Sequence, residues 1–405
     1  MQGSTSEAWR DNRFKVRTRI AFISSNFTWG GSETLWSETA AELARRGHRV
    51  RAYKNRLAGK EGNIAQLREL SVGLIELARL PLLPRKLYSM VAGFTPLLSI
   101  AYQALRLYVS LRLRRRPDLV VVSQGGNHDG WLLAAVCRRL RLPYVLLCQK
   151  ATDLYWPQDN WRGQIQANYA GALHAFFVSD HNRRLTEEQI GGPIERASVA
   201  RNPFLVPWNA PPPWPDASAG LRLACVGRLY PMEKGQDILL RVLAAEKWRA
   251  RAVSVTFFGG GEQRQGLERM AEYLGLANVR FAGFEEDVEA LWADHHGLVL
   301  ASRAEGLPLV LVEAMLSGRV AIVTDVAGNS EVVEDGRTGF LADAATEKAF
   351  DRALERAWTR REEWAAIGGD TAAHIRTLVP PDPAATFADE LLTLARQARP
   401  GGSQG

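Results

Sequence analysis

Glu305-Gly306-Leu307-Pro308-Leu309-Val310-Leu311-Val312-Glu313, preceded by the apolar run Gly297 to Ala301, reads as a buried strand running through a tight turn into a helix. Pro308 lacks an N–H and suits the first helical turn, where that donor has no partner. Gly318 follows the apolar run and reads as the C-terminal cap. The expected helix is therefore 307–317, with Glu305 just before it. This helix is apolar on nearly every face, so it is expected to be buried. Glu313 is its only charge, and a buried carboxylate needs hydrogen-bond donors or a cation. Two readings fit Glu313: it reads ligand hydroxyls, or it pairs with a structural arginine. The first-turn N–H groups, at the positive end of the helix dipole, form a seat for an anion such as a diphosphate. Two carboxylates flanking a phosphate seat match the outline of a nucleotide-sugar.

The same strand–turn–helix unit recurs along the chain. Arg19 to Ser25 is a strand, then come Gly30 and Gly31, then a helix expected from Glu33 with Ser32 as its cap. Neither a GxGxxG fingerprint nor a Gly-Lys-Ser/Thr loop is present, so Gly30 and Gly31 are either a close-approach loop for phosphate or only a tight turn. Strands are also expected at 49–54, 73–78, 118–123, 143–149 and 174–179, the last followed by a helix capped by Asp180. Pro203 to Pro215 holds six prolines and reads as a linker. The pattern then restarts, with strands at 221–226, 253–258, 278–282, 297–301, 319–324 and 339–341. The expected fold class is α/β, two Rossmann-like parallel-sheet domains facing a cleft. The boundaries follow: 1–202, a linker at 203–220, 221–380, and a last helix within 381–405 that crosses back to the first domain.

In open parallel sheets, ligands bind beyond the carboxyl ends of the strands. Arg228 and Lys234 lie on such a loop, either as diphosphate ligands or as solvated cations. His128 follows the fourth strand, as a proton carrier, a sugar ligand or a turn residue. Lys150 and Asp153 hold a similar position after the fifth.

The bulk numbers narrow the class. The 405 residues carry a net charge of +7, enough length for two cored domains. Cys137, Cys148 and Cys225 are far apart in apolar runs, without metal or disulfide spacing. Met1 to Lys15 lacks the apolar core of a signal peptide and is expected to be a flexible lead-in. Between Glu76 and Asp118 there are eight basic residues and no acid, with 19 uncharged residues between Lys86 and Arg106. Three readings compete there: a transmembrane helix, which Pro96 weakens; a basic apolar helix on an anionic membrane surface, centred on 79–116; and a core helix ending in a solvated arginine cluster. No nucleic-acid motif accompanies the charge.

Together these landmarks resemble the retaining glycosyltransferases of family 4, which have the GT-B fold. The matching residues are Gly30-Gly31, Val226-Gly227-Arg228-Leu229 with Lys234-Gly235, Gly259-Gly260-Gly261, Glu305-Gly306-Leu307-Pro308 with Glu313, and Asp335-Gly336 with Thr338-Gly339-Phe340. The resemblance implies a nucleotide-sugar donor, a saccharide or lipid-linked acceptor, and no cofactor or metal. It gives Arg228 and Lys234 the donor diphosphate, Glu305 the donor sugar and Glu313 the ribose. Gly306, Leu307 and Leu309 would present backbone to phosphate, and Gly283 and Phe284 would lie against the base. His128 is the acceptor-side candidate, because the family's usual histidine is replaced by Ser123 and Gln124; the later glycine pair is Ala327-Gly328. A cytoplasmic enzyme of surface polysaccharide synthesis, at the inner face of the membrane, is the expectation. Its rivals are a nucleotide-sugar 2-epimerase and a non-catalytic nucleotide-sugar-binding protein.

Overall fold

The computed structural model describes residues 17–27, 29–57, 61–79 and 96–399. Two parallel sheets organise them. The first runs β3-β2-β1-β4-β5-β6-β7, with β1 Arg19–Ser24, β2 Arg49–Lys54, β3 Gly73–Glu76, β4 Leu119–Gln124, β5 Tyr144–Cys148, β6 His174–Phe177 and β7 Ala197–Val199. The second runs β10-β9-β8-β11-β12-β13, with β8 Leu221–Val226, β9 Val253–Phe258, β10 Val279–Gly283, β11 Gly297–Leu300, β12 Val320–Thr324 and β13 Gly339–Ala342. Every strand pair within both sheets is parallel. Central strands such as β4, β5, β11 and β12 are buried along their whole length, as expected of strands covered by helices on both faces.

Strand order reverses between β1 and β4 in the first sheet and between β8 and β11 in the second. Those reversals open a crevice at the carboxyl ends of the strands, where helices leave toward opposite faces. Gly30-Gly31 follow β1, Gln124 to Asp129 span the end of β4, Arg228 to Lys234 follow β8, and Ser302 to Glu305 follow β11.

The helix Leu309–Leu316 is shorter than the expected 307–317, with Pro308 at the N-cap in extended conformation (φ −61°, ψ 126°). Ser32 does not cap the first helix. A 3-10 turn, Gly31–Glu33, precedes Thr34–Arg45. Ser179, not Asp180, caps the helix Asp180–Ile190, its hydroxyl accepting from Asn182 N. Its Oγ reaches that N–H from an extended residue, which Asp180, already helical, does not do.

The helix Pro96–Leu113 is a core element. Tyr102, Leu107 and Leu111 are buried, and Arg106 is buried with its guanidinium donating to Leu77 O at 2.8 Å. Arg106 is thus withdrawn from the basic surface the sequence suggested. Arg112, Arg114, Arg115 and Arg116 are exposed at the helix end, and Arg85 and Lys86 lie outside the described residues. No helix among the described residues is long and apolar enough to cross a membrane.

The last helix, Pro383–Gln397, packs on the first sheet. Phe387, Ala388, Leu391 and Ala395 are buried in one cluster with Ile20, Phe22, Leu119 and Phe176. Phe387 meets Phe176 edge-on at 4.9 Å.

Beneath the Gly30-Gly31 loop lies a buried ion pair. Lys54 Nζ is 2.6 Å from Glu33 Oε2, with both side chains at most 1% exposed. Ser24 Oγ and Asn26 Nδ2 also donate to Glu33, and Lys54 donates to Asn26 O at 2.7 Å. Burial lowers the Lys54 pKa, while the charge and hydrogen bond of Glu33 act to raise it. Removing one member leaves an uncompensated buried charge. Lys54→Met is expected to destabilise the protein by about 3–5 kcal/mol, seen as a lower urea midpoint at unchanged m.

Candidate functional site

Lys234 is the last residue of the short helix Pro231–Lys234, stopped by Gly235 at φ +61°. A Cβ at Gly235 would lie 1.8 Å from Ala301 O, so only glycine lets this turn approach the end of β11. That approach delivers Lys234 Nζ to Glu305, at 2.7 Å from each carboxylate oxygen. Ser302 Oγ donates to Glu305 Oε1 at 2.8 Å. Glu305 is 5% exposed, so its partners rather than water carry its charge. The first-turn N–H groups of Leu309 and Val310 follow directly, where a helix has no acceptor of its own to offer.

A second acid organises the other cations. Glu233, buried, accepts from Lys150 Nζ at 2.6 Å and from Arg228 Nη2 at 3.2 Å. Burial disfavours its charge, but the Lys150 hydrogen bond and the Lys150, Arg228 and Lys234 charges outweigh that and hold its pKa below the usual range. Lys150 follows β5, so this triad spans the cleft. Tyr155, 40% exposed, borders the cluster, its ring 6.0 Å from Lys150 Nζ.

The sequence-derived residues fall into distinct groups. Lys234 pairs with Glu305, and Arg228 pairs with Glu233. Gly31 lies across the cleft from Leu309, since a Cβ there would be 3.0 Å from Leu309 Cδ1, whereas Gly30 faces open space. Gly306 abuts the first domain so closely that a Cβ would be 2.0 Å from Gln149 O. Leu307 is buried. Gly283 ends β10 at φ +86°, and the Phe284 ring beside it is 72% exposed. Glu313 is buried and Oε1 accepts from Leu205 N at 3.1 Å, so the carboxylate given to the ribose contacts the linker. His128 is half-buried, with Nδ1 2.9 Å from Asn127 Oδ1, and burial lowers its pKa. No hydrogen bond or ion pair among the described residues joins His128 to Lys234, Glu305 or Arg228. At the position of the family's histidine, Gln124 Oε1 accepts from Gly130 N and braces the loop. Ala327 adopts φ +51°, a conformation in which the family's glycine is unstrained and alanine is not.

Sequence reasoning missed Glu233, Tyr155 and Glu331. Glu331, from the short helix Asn329–Val332, accepts from Asp180 N at 3.1 Å and His181 N at 2.7 Å. One domain's carboxylate thereby caps a helix of the other, and the favourable helix-dipole contact favours closure. Glu331→Ala is expected to weaken the closed form by about 1–2 kcal/mol. Small-angle X-ray scattering of the free protein would then show a larger radius of gyration.

Two open parallel sheets, each reversing its strand order near the centre, meet across a charged cleft to make a two-domain α/β architecture. The solved structure of Anabaena HepE in complex with UDP-glucose shares it, with TM-score 0.71 at 20% identity, covering 93% of this chain and 100% of that one. Sucrose-phosphate synthase from Thermosynechococcus elongatus does too (TM-score 0.70, 17% identity, 94% and 99% covered). The fold is GT-B. A glycosyl transferase 4-like domain model matches residues 30–203, and a glycosyl transferases group 1 model matches 220–360. The chain belongs to the family 4 glycosyltransferases. Among curated relatives, the putative glycosyltransferase EpsD of Bacillus subtilis is 32% identical over 145 residues, 35% of this chain and 38% of the relative. A GDP-mannose-dependent phosphatidylinositol monomannoside mannosyltransferase of Mycolicibacterium smegmatis is 32% identical over 162 residues, 35% of this chain and 42% of the relative. The matched region thus spans less than half the length of these relatives.

Proposed function

We propose that the protein moves a sugar from a nucleoside-diphosphate donor to a hydroxyl acceptor, with retention at the anomeric carbon. The observation that carries this reading is the Lys234–Glu305 pair at the mouth of the Leu309–Leu316 helix, with Arg228 nearby. The donor diphosphate replaces carboxylates as the partner of Lys234 and Arg228, and accepts from the Leu309 and Val310 N–H groups. As the bond from anomeric carbon to phosphate oxygen breaks, charge grows on the diphosphate, where these groups lower the barrier. Glu305, released from Lys234, accepts from sugar hydroxyls, while Glu313 reads the ribose and Phe284 lies against the base. The acceptor oxygen enters on the face the leaving group vacates, and its proton passes to a diphosphate oxygen. Gly30 and Gly31 close on the donor from the first domain, and His128 borders the acceptor side.

We assign the acceptor to a lipid-linked or growing surface polysaccharide. The support is the exposed run Arg112, Arg114, Arg115 and Arg116, which suits an anionic membrane surface on the cytoplasmic side. Pelleting with anionic liposomes, lost when these four become alanine, tests that contact. A donor panel assayed with and without acceptor tests the reaction itself. Transfer needs an acceptor, and a proton NMR spectrum of the first product shows retention. An altered donor sugar formed without acceptor would instead establish the epimerase, and donor binding without turnover would establish the binding protein.

A further inference from the structure

A cavity of about 390 Å³ opens at the end of the first domain opposite the cleft, among the amino ends of β1, β2 and β3. Arg17, Arg19, Arg49, Arg51 and Arg115 line it, and among the described residues its lining contains no carboxylate. Arg19 is paired with Asp118 at 3.0 Å. Arg51 donates to Arg115 O at 3.1 Å, which leaves its charge uncompensated. Arg17, Arg49, Arg51 and Arg115 have no carboxylate partner among the described residues. Four like charges around one hollow repel one another, and a bound anion relieves that.

Two further features point to a ligand. Tyr53, 1% exposed, also lines the cavity, and its buried hydroxyl has no hydrogen-bond partner among the described residues. A buried donor left unmade is costly, and the hydroxyl would gain a partner if a bound ligand drew it toward the cavity. Ala44, Leu70 and Leu111 add an apolar wall, which gives the site an amphipathic character.

We propose that this cavity binds a phosphate-bearing anion, gripped by the arginine forks, at a site separate from the cleft. Guanidinium groups match phosphate oxygens in planar, bidentate geometry. The phosphate belongs either to a lipid headgroup, whose first carbons lie on the Leu70 and Leu111 wall, or to a free phosphate. This placement is independent of how the cleft handles its donor.

The test uses the full-length protein at low salt and two probes: inorganic phosphate, and short-chain dihexanoyl phosphatidic acid below its micelle concentration. Calorimetric titration of the wild type is expected to show saturable binding. Arg17→Glu combined with Arg49→Glu is expected to weaken it by about tenfold or more. Arg17→Lys with Arg49→Lys should retain most of it. Circular dichroism and transferase turnover should be unchanged in both, since neither residue belongs to the cleft. Tighter binding of the lipid than of inorganic phosphate assigns a headgroup; equal binding assigns a free phosphate. If the Glu pair unfolds, added KCl on the wild type serves instead, because a charge-held ligand is released as ionic strength rises. Absence of saturable binding by either probe, or affinity indifferent to the charge reversal and to salt, overturns the proposal.

Discussion

Lys234→Ala is expected to lower kcat for sugar transfer by about 10²–10³-fold, the usual cost of losing one preorganised group at a developing anion. Lys234 Nζ is equidistant from the two Glu305 oxygens at 2.7 Å, so on the proposed reading the free enzyme stores the cation at the point where the donor phosphates would arrive. The substitution has a second consequence. It leaves a carboxylate that is 5% exposed with Ser302 as its remaining hydrogen-bond donor. A stability loss of about 3 kcal/mol should accompany the kinetic defect, as for other broken buried pairs. Combining Lys234→Met with Glu305→Gln separates the two effects. The double variant should recover most of the stability and none of the activity, because an uncharged pair needs no mutual compensation but offers nothing to a diphosphate. Steady-state kinetics and urea unfolding on the three variants check this. Undiminished turnover in Lys234→Ala would remove Lys234 from the mechanism.

Gly306→Ala should be nearly as damaging, for a reason unrelated to charge. Its added Cβ would stand 2.0 Å from Gln149 O and 2.9 Å from Val178 Cγ2. Both neighbours belong to the first domain, and one is backbone that cannot swing aside. Within its own domain Gly306 keeps its O bonded to Gly328 N at 2.9 Å, so that domain should fold as before. The variant therefore binds nucleoside diphosphate but cannot bring the domains to the observed approach. A misplacement of roughly 1 Å between reacting groups costs about 10²-fold, and kcat should fall by that order while nucleotide affinity changes little. Calorimetry with nucleoside diphosphate and turnover measurements distinguish this from simple misfolding. Normal kcat would mean that catalysis occurs with the domains further apart than seen here.

These residues differ in how visible they are in the sequence. The alternation of apolar strand, glycine turn and amphipathic helix carries the whole second sheet and six of the seven strands of the first, because each unit announces itself locally; β7, three residues long and only half-buried, does not. Strand β11 and the helix after it lie within two residues of their expected bounds. What periodicity does not carry is which charge meets which. Lys54 and Glu33 are 21 residues apart on different elements, and Lys150 and Glu233 are 83 apart across two domains. Nothing in local pattern distinguishes such residues from solvated ones. Arg106 shows the converse: within a basic run it counts as surface, yet the Leu77 carbonyl and the Tyr102 ring, 4.0 Å from its guanidinium, take it inside. The caps failed for a smaller reason, since Ser179 and Asp180 are both good cap residues and only the backbone turn selects between them.

The helix Pro383–Gln397 has a consequence for how the molecule is made. Its Phe387, Ala388 and Leu391 complete a core whose other members lie before residue 203. On the ribosome the earlier half emerges first and must wait for some 180 further residues, 203–382, before that helix can dock. At ~5–20 residues per second the delay is about 10–40 s. Throughout it, the apolar surface around Phe176 lacks the cover that Phe387 later provides, so the nascent chain presents a surface for a holding chaperone until that helix has emerged.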